Sequence, residues 1–384
     1  MSITKKHILW LIITSLLIKV VYVIFTFSID AFNHTEMIGN SFESYTNLFQ
    51  RNDSYWYKNI AENGYPRIKD PKELGYVGEG KIIQSVWAMF PLYPMVVKAV
   101  MSIGSLSFVQ SAFIISILLS PAVFILYYLM GTHLFNFEKS KAFKSTLIFI
   151  CFPFHFYYSM YYTEALFFTL LSIGFLSVHL KKYWITCISL FLLTIMRPNG
   201  IVTAFPIFLY YLEKEGRYLF WWNQLKMLNV KKFSKWLWFL SAPTALFLYC
   251  LYQKEMTNFY FAYVKAQEGW FKEFMFPLKA MFRDSVFWSQ FNSFYTLLAF
   301  IVAILLFKKL PLSLNLLIWL SLLLPLSSGS VVSMPRFISL LFPITILLSQ
   351  RITETRFYPF VIVILIALQL WSFYPWIYSE PLSY

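Results

Sequence analysis

Charge is the scarce quantity in this chain. Only 13% of its 384 residues are Asp, Glu, Lys or Arg, about half of the roughly 25% carried by a soluble protein. With 59% apolar residues and a mean hydropathy of +0.60, this excludes a soluble globular domain and points to an integral membrane protein. Cysteine is also scarce. Cys151, Cys187 and Cys250 lie far apart in apolar segments, which excludes a disulfide framework and any cysteine-based metal spacing. The five histidines form no pair at helical spacing. No Walker motif, internal repeat or low-complexity stretch is present. Acidic residues number 18 against 32 basic ones, a net charge of +14. On a soluble protein that excess would suggest nucleic acid. Here the bases fall in short loops between apolar runs, so the excess reads as a topology signal, and nucleic acid is disfavoured as a partner.

The apolar runs are abundant. A spanning helix needs about 20 apolar residues, so a chain of this length supplies on the order of ten spans and one sizeable loop. The expected fold is an all-α polytopic membrane protein, a single domain over 1–384. Eleven segments read as spans: 7–29, 109–129, 142–158, 165–179, 184–196, 201–212, 236–251, 291–307, 312–326, 337–348 and 357–376. The first has a signal-like basic start, but its apolar run is too long for a signal and no small-residue cleavage site follows, so it reads as retained. Lys5 and Lys6 place the N-terminus in the cytoplasm. Lys139, Lys141 and Lys144, then Lys181 and Lys182, the run 214–235, Lys308 and Lys309, and Arg351 and Arg356 mark the other inner loops. Lys19 lies mid-span. It either faces the bundle or snorkels to the interface.

Two outer loops follow from this count, 30–108 and 254–290. The segment 87–104 carries two prolines and Lys98. It reads as interfacial or re-entrant, because a full span there would move the basic loops outside. Eight of the 18 acidic residues fall between Asp30 and Glu79. Asp53 and Ser54 begin a short amphipathic helix, with Tyr55, Trp56, Ile60 and Ala61 on a face suited to the bilayer surface. Gly75, Gly78 and Gly80 make the middle of the loop irregular.

With this topology, five polar clusters share one side of the membrane: Asp53; Tyr162, Thr163 and Glu164; Arg197, Pro198 and Asn199; Gln267 to Trp270; and Ser333 to Arg336. Each has a plain structural reading beside a chemical one. Asp53 is a helix N-cap or a general base taking a proton from an acceptor hydroxyl. Glu164 complements a helix dipole or positions a substrate. Arg197 and Arg336 snorkel or grip a phosphate through paired hydrogen bonds. Gln267 and Trp270 are ordinary loop residues or sugar contacts, and FPLYP (Phe90 to Pro94) is an interface anchor.

The string from Asn52 to Tyr65, ND-x-x-x-Y-x-x-I-A-x-x-G-Y, followed by FPLYP, resembles the signature of PIG-V-type mannosyltransferases. YYTEALFFTLLSIGF, MRPNG, FAYVKAQEGW and SMPRFISLLFP resemble further segments of that family, in order and over most of the chain. Two departures stand out: Asn52 where the family has Trp, and Thr163-Glu164 where it has Ser-Glu. The resemblance implies a GT-C-like bundle of about eleven spans, with its catalytic acid in a large first outer loop. It implies an inverting hexosyltransferase of bacterial type in the plasma membrane, with the site on the outer face. The donor would be a polyprenyl- or dolichyl-phosphate sugar, with mannose carried over from the family. The acceptor would be a hydroxyl of a lipid, glycan or protein. Asp53 would be the base and Glu164 a second catalytic-site acid. Arg336 and Arg197 would bind the donor phosphate, and Gln267, Trp270, Asn199 and Tyr65 the substrate. No cofactor is implied. A divalent metal is compatible with the class, but no dedicated ligand set is visible. The competing readings are a transporter or flippase of lipid-linked sugars, which should show repeat symmetry and paired broken helices, and a non-catalytic subunit of an envelope-glycan machine.

Overall fold

A computed structural model describes residues 3–33, 42–78, 81–216, 234–283 and 286–380. Most of the basic run 214–235 therefore lies outside the described residues. The described chain is helical apart from one hairpin. In order the helices are α1 (Ile3–Asn33), α2 (Phe42–Asn47), α3 (Asp53–Asn63), α4 (Leu92–Gly104), α5 (Phe108–His133), α6 (Lys139–Cys151), α7 (Glu164–His179), α8 (Tyr183–Thr194), α9 (Ala204–Lys214), α10 (Ser241–Thr257), α11 (Ala262–Ala266), α12 (Pro277–Ala280), α13 (Phe287–Leu306), α14 (Leu312–Leu326), α15 (Met334–Ser339), α16 (Phe342–Ile352) and α17 (Tyr358–Ile377).

Among the described residues, four helices are long and apolar enough to cross a membrane: α1, α5, α13 with the turn that extends it, and α17. Helices α4, α7, α8 and α14 are apolar but shorter. At about 1.5 Å per residue, the 13 residues of α4 reach only some 20 Å, short of a bilayer core of about 30 Å. Its length suits an interfacial or re-entrant segment.

The centre of the bundle is α5 and α7. α5 packs on α1, α6 and α7, and α7 packs on α8 and α9, while α14 closes over α9. Aromatic rings fill the interior, as where Tyr127 stacks on Phe149 at 4.0 Å between centroids. Buried hydroxyls are satisfied between helices, as in the 2.7 Å bond of Ser177 with Thr186, because an unpaired polar group is costly where no water reaches. Lys19 faces the bundle. Its ammonium donates to Ser116 Oγ at 2.6 Å and to the Ser159 carbonyl at 3.1 Å, and lies 5.4 Å from the centre of the Phe49 ring.

Four expectations are corrected. The span expected over 142–158 stops at Cys151, two residues before Pro153, because a proline disfavours helix in the residue preceding it. The chain then turns through Phe154 at φ 64° into a 3-10 segment, His155–Ser159. The span expected over 337–348 is divided into α15 and α16, since Pro343 has no N–H to continue the ladder. The glycine-bearing stretch expected to be irregular forms a hairpin, β1 (Tyr76–Gly78) against β2 (Lys81–Ile83), antiparallel with Tyr76 opposite Ile83. Finally, α3 buries Ser54, Tyr57, Ile60 and Ala61, while Tyr55 is exposed. Tertiary contacts with α4 and α5 chose a face rotated from the one sequence periodicity suggested.

Candidate functional site

The loop before α3 is anchored by its backbone. The Trp376 indole donates to the Leu48 carbonyl at 2.8 Å, and the Tyr161 amide donates to the Phe49 carbonyl at 3.1 Å. The Arg51 guanidinium donates to the carbonyls of Asn47 and Gln50 at 2.9 and 2.8 Å. Asn52 then takes φ 45° with ψ −113°, a positive-φ conformation outside the left-handed helical well and uncommon for any residue but glycine. Asp53 follows as the first residue of α3. It is therefore not the N-cap, which is Asn52, and its carboxylate serves another purpose.

That carboxylate accepts a 2.8 Å hydrogen bond from Arg336 Nη1. Arg336 Nε lies 2.9 Å from Glu164 Oε1, within ion-pair range but poorly aligned, since Nε makes no hydrogen bond. The same Glu164 oxygen pairs directly with Arg197 Nη2, and Arg197 Nε donates to Thr163 Oγ1 at 2.5 Å. The result is a row of alternating charge: Asp53, Arg336, Glu164, Arg197. Glu164 is fully buried, Arg197 and Arg336 nearly so, and the Asp53 side chain is 23% exposed. The row is open at its Asp53 end.

Local structure explains the convergence. Asp53 and Glu164 each begin a helix, α3 and α7, where the exposed amides favour a carboxylate. Arg197 stands at the break between α8 and α9. There the chain folds back so tightly that a side chain on Gly200 would put its Cβ 1.7 Å from the Leu193 carbonyl oxygen. Arg336 is delivered by the short α15, entered through Ser333 at φ 68°. Rings support the guanidinium groups. Arg336 lies 5.0 Å from the centre of Tyr162 and 5.6 Å from Phe337, and Arg197 lies 5.6 Å from Phe167 and 5.9 Å from Phe337. Tyr162 also uses its hydroxyl as acceptor for the Asp53 amide, at 3.3 Å. Burial, and after it the Asp53 charge, pushes the neighbouring Tyr57 phenol upward and keeps it protonated.

Three buried atoms of the row make no hydrogen bond: Glu164 Oε2, Arg197 Nη1 and Arg336 Nε, the last within ion-pair range of Glu164 only. Beside them a cleft runs between α7, α9, α14 and α15, lined by Phe167, Asn199, Thr203, Leu317, Phe337 and Leu340. Phe167 and Phe337 therefore serve both as its wall and as the platform under the arginines. The walls are largely apolar, and the arginines lie behind two of them, Phe167 and Phe337.

The remaining sequence candidates divide. Asn199 lines the cleft. Gln267, Trp270 and Tyr65 do not touch the charged row. They form an adjoining patch in which Tyr65 donates to the Met89 carbonyl at 2.8 Å and packs on Trp87, and Gln267 donates to the Ala88 carbonyl at 3.2 Å. Trp270 meets Trp56 of α3 edge to face at 5.2 Å, and its buried indole N–H is unpartnered. The turn carrying Gln267 and Trp270 sits so close to the hairpin that a Cβ on Gly269 would come within 2.1 Å of the Ile83 carbonyl oxygen. Among the described residues, no group of three or more His, Cys, Asp or Glu is placed to hold a metal ion.

Sequence reasoning missed Lys272. This exposed lysine follows the Trp270 turn and feels the charges of both Asp53 and Arg336. Nothing local distinguishes it from any other loop lysine. Comparison of the chain with family models, curated proteins and solved structures finds no match. A functional reading therefore rests on the geometry and on the motifs in the sequence.

Proposed function

We propose that this protein is a membrane-embedded glycosyltransferase of GT-C-like architecture, resembling PIG-V-type mannosyltransferases. It would move a hexose from a polyprenyl-phosphate carrier to a hydroxyl acceptor. The observation that carries this reading is the charged row, with a carboxylate at its open end and cations beside it. About eleven crossings, an N-terminus in the cytoplasm and a site on the outer face of a bacterial plasma membrane complete the reading.

In the reaction, Asp53 takes the proton of the acceptor hydroxyl. The acceptor oxygen forms its bond to the anomeric carbon from the face opposite the phosphate. The bond between that carbon and the phosphate oxygen breaks, its electron pair leaves with the carrier phosphate, and the configuration inverts. Arg336 stabilises the charge that develops on the phosphate. Arg197, whose buried Nη1 is unpartnered, adds a second cation next to Arg336. Glu164 is too deeply buried to meet an acceptor, so it acts as a positioning residue that aims both guanidinium groups. Trp270 and Gln267 border the space over α3 where a sugar ring would rest, and Asn199 borders the cleft.

The test is sugar transfer by the purified protein in lipid nanodiscs, from a polyprenyl-phosphate hexose and without an energy source. Asp53→Asn should insert normally and lower turnover by about 10²–10⁴-fold, the usual contribution of a general base. Undiminished turnover would reject the assignment of Asp53.

A further inference from the structure

In the charged row the two arginines are matched by two carboxylates, so the row has no net positive charge to offer an anion. Arg51, two residues before Asp53, is occupied by backbone carbonyls. The cation left uncommitted beside the row is Lys272. Among the described residues it makes no ion pair and its ammonium no hydrogen bond. Arg336 likewise keeps Nη2 without a partner, its Nε and Nη1 being turned to Glu164 and Asp53.

Lys272 is held in place from both sides. Trp270 is fixed against Trp56 on the Asp53 helix. Phe271 takes φ 56°, a left-handed conformation costing on the order of 1–2 kcal/mol, and the Lys272 amide returns to the Gln267 carbonyl at 3.2 Å. Beyond it, the amides of Glu273 and Met275 bond the carbonyls of Ser328 and Ser327. The side chain is solvent-accessible, and yet burial is the main influence lowering its pKa. The charges facing it are Asp53 and Arg336. On its own loop, Glu268 and Glu273 are paired with Lys265 and Arg283.

The segment following Lys272 presents Phe274, Phe276 and Phe282 outward, the first 94% and the last 83% exposed, with Lys279 between them and Arg283 just after. Exposed aromatics interspersed with bases suit the headgroup layer of a membrane. Lys272 is thus in the loop that carries these aromatics and feels the Asp53 charge.

We infer that Lys272, together with Arg336 Nη2, binds the phosphate of a lipid-borne substrate arriving along the Phe271–Phe282 loop. This rests on the transferase reading, and it adds the cation that the matched arginines cannot supply alone. Binding, rather than turnover, tests it. The probes are undecaprenyl phosphate and undecaprenol, titrated onto the full-length protein in phosphatidylcholine nanodiscs. The wild type should prefer the phosphate. Lys272→Met should weaken phosphate binding by about tenfold to a hundredfold, the usual worth of one charge-assisted contact, and leave undecaprenol binding unchanged. Lys272→Arg should restore the preference. Wild-type phosphate binding should decline as alkaline pH discharges the lysine, at a pH below the ordinary lysine range, and Lys272→Arg should remove that decline. Unchanged phosphate binding in Lys272→Met overturns the role of Lys272 and leaves the transferase reading standing. A wild type with no preference for the phosphate overturns both. Displacement by an equal concentration of inorganic phosphate overturns the lipid-borne source. Should Lys272→Met bind neither lipid, the alkaline arm of Lys272→Arg decides: a persisting decline overturns the inference and its loss supports it.

Discussion

Two polar clusters in this molecule invite comparison. One surrounds Lys19, deep between α1 and α5. It contains a single charge, and every partner is a neutral oxygen: Ser116 Oγ, which itself donates to the Ser159 carbonyl at 2.7 Å, and that carbonyl. The neighbouring Ser120 Oγ donates to the Tyr158 carbonyl at 3.0 Å. The other cluster holds four charges in a row, leaves three buried atoms without a hydrogen bond and is open at one end. The first is closed and satisfied, and it ties the chain before Thr163 to the core. The second is over-supplied with charge and under-supplied with partners. Burying charge is costly unless each ion is compensated, so unsatisfied charge is what sets this cluster apart from the first and makes it the candidate site. An intramembrane lysine is by default a functional candidate. Here the wiring gives that status to the other cluster.

The comparison can be broken experimentally. The largest effect should come from Glu164→Gln, which leaves two buried guanidinium groups with one carboxylate between them. Losing one partner of a buried ion pair costs roughly 3–5 kcal/mol. The expected outcome is a large fall in thermal unfolding temperature in detergent, together with loss of sugar transfer. A stable, active Glu164→Gln would mean that the row is not the organising feature. Next is Arg197→Lys, which keeps the charge but cannot bond Thr163 and Glu164 together. Transfer should fall by about tenfold or more with little change in unfolding temperature, since one charge-assisted hydrogen bond is worth about 1.5–3 kcal/mol. Activity equal to wild type would show that the fork geometry is irrelevant. The smallest effect should come from Lys19→Met. Ser116 still satisfies the Ser159 carbonyl when the ammonium is gone, and removal of an unpaired buried charge relieves a desolvation cost. Unfolding temperature and turnover should stay near wild type. A collapse of activity in Lys19→Met would move the functional boundary into the Lys19 cluster and erase the contrast.

Much of this was legible in the sequence, and the reason is locality. Hydropathy over 20 residues marks a membrane helix wherever the chain goes next, so α1, α5, α13 and α17 fall on expected spans. Polar residues at the ends of apolar runs stand out against 59% apolar composition, which is how Asp53, Glu164, Arg197 and Arg336 came to be singled out. Helix interruptions were less legible. Pro153 and Pro343 stop helices inside runs whose hydropathy is uninterrupted, because hydropathy measures transfer to lipid and is blind to a missing amide hydrogen. The buried face of α3 was misread because its apolar residues, Tyr55 and Trp56 among them, do not declare which neighbours they will meet. Lys272 gave no local signal, for its significance depends on a helix more than 200 positions earlier.

The amino-acid order alone determined that the chain is built of apolar helices, that most charge falls at their ends or in loops, and that a few acids and arginines occur where apolar residues would cost less. Tertiary structure decided which of these meet. Asp53 and Arg336 are 283 positions apart, and nothing along the chain states that they will share a hydrogen bond. Nor does it state that Glu164 will be sealed between two guanidinium groups, or that Lys19 will turn inward to hydroxyls. Hydrophobicity acts on each segment separately, whereas an ion pair exists only once packing has brought its two ends within about 4 Å.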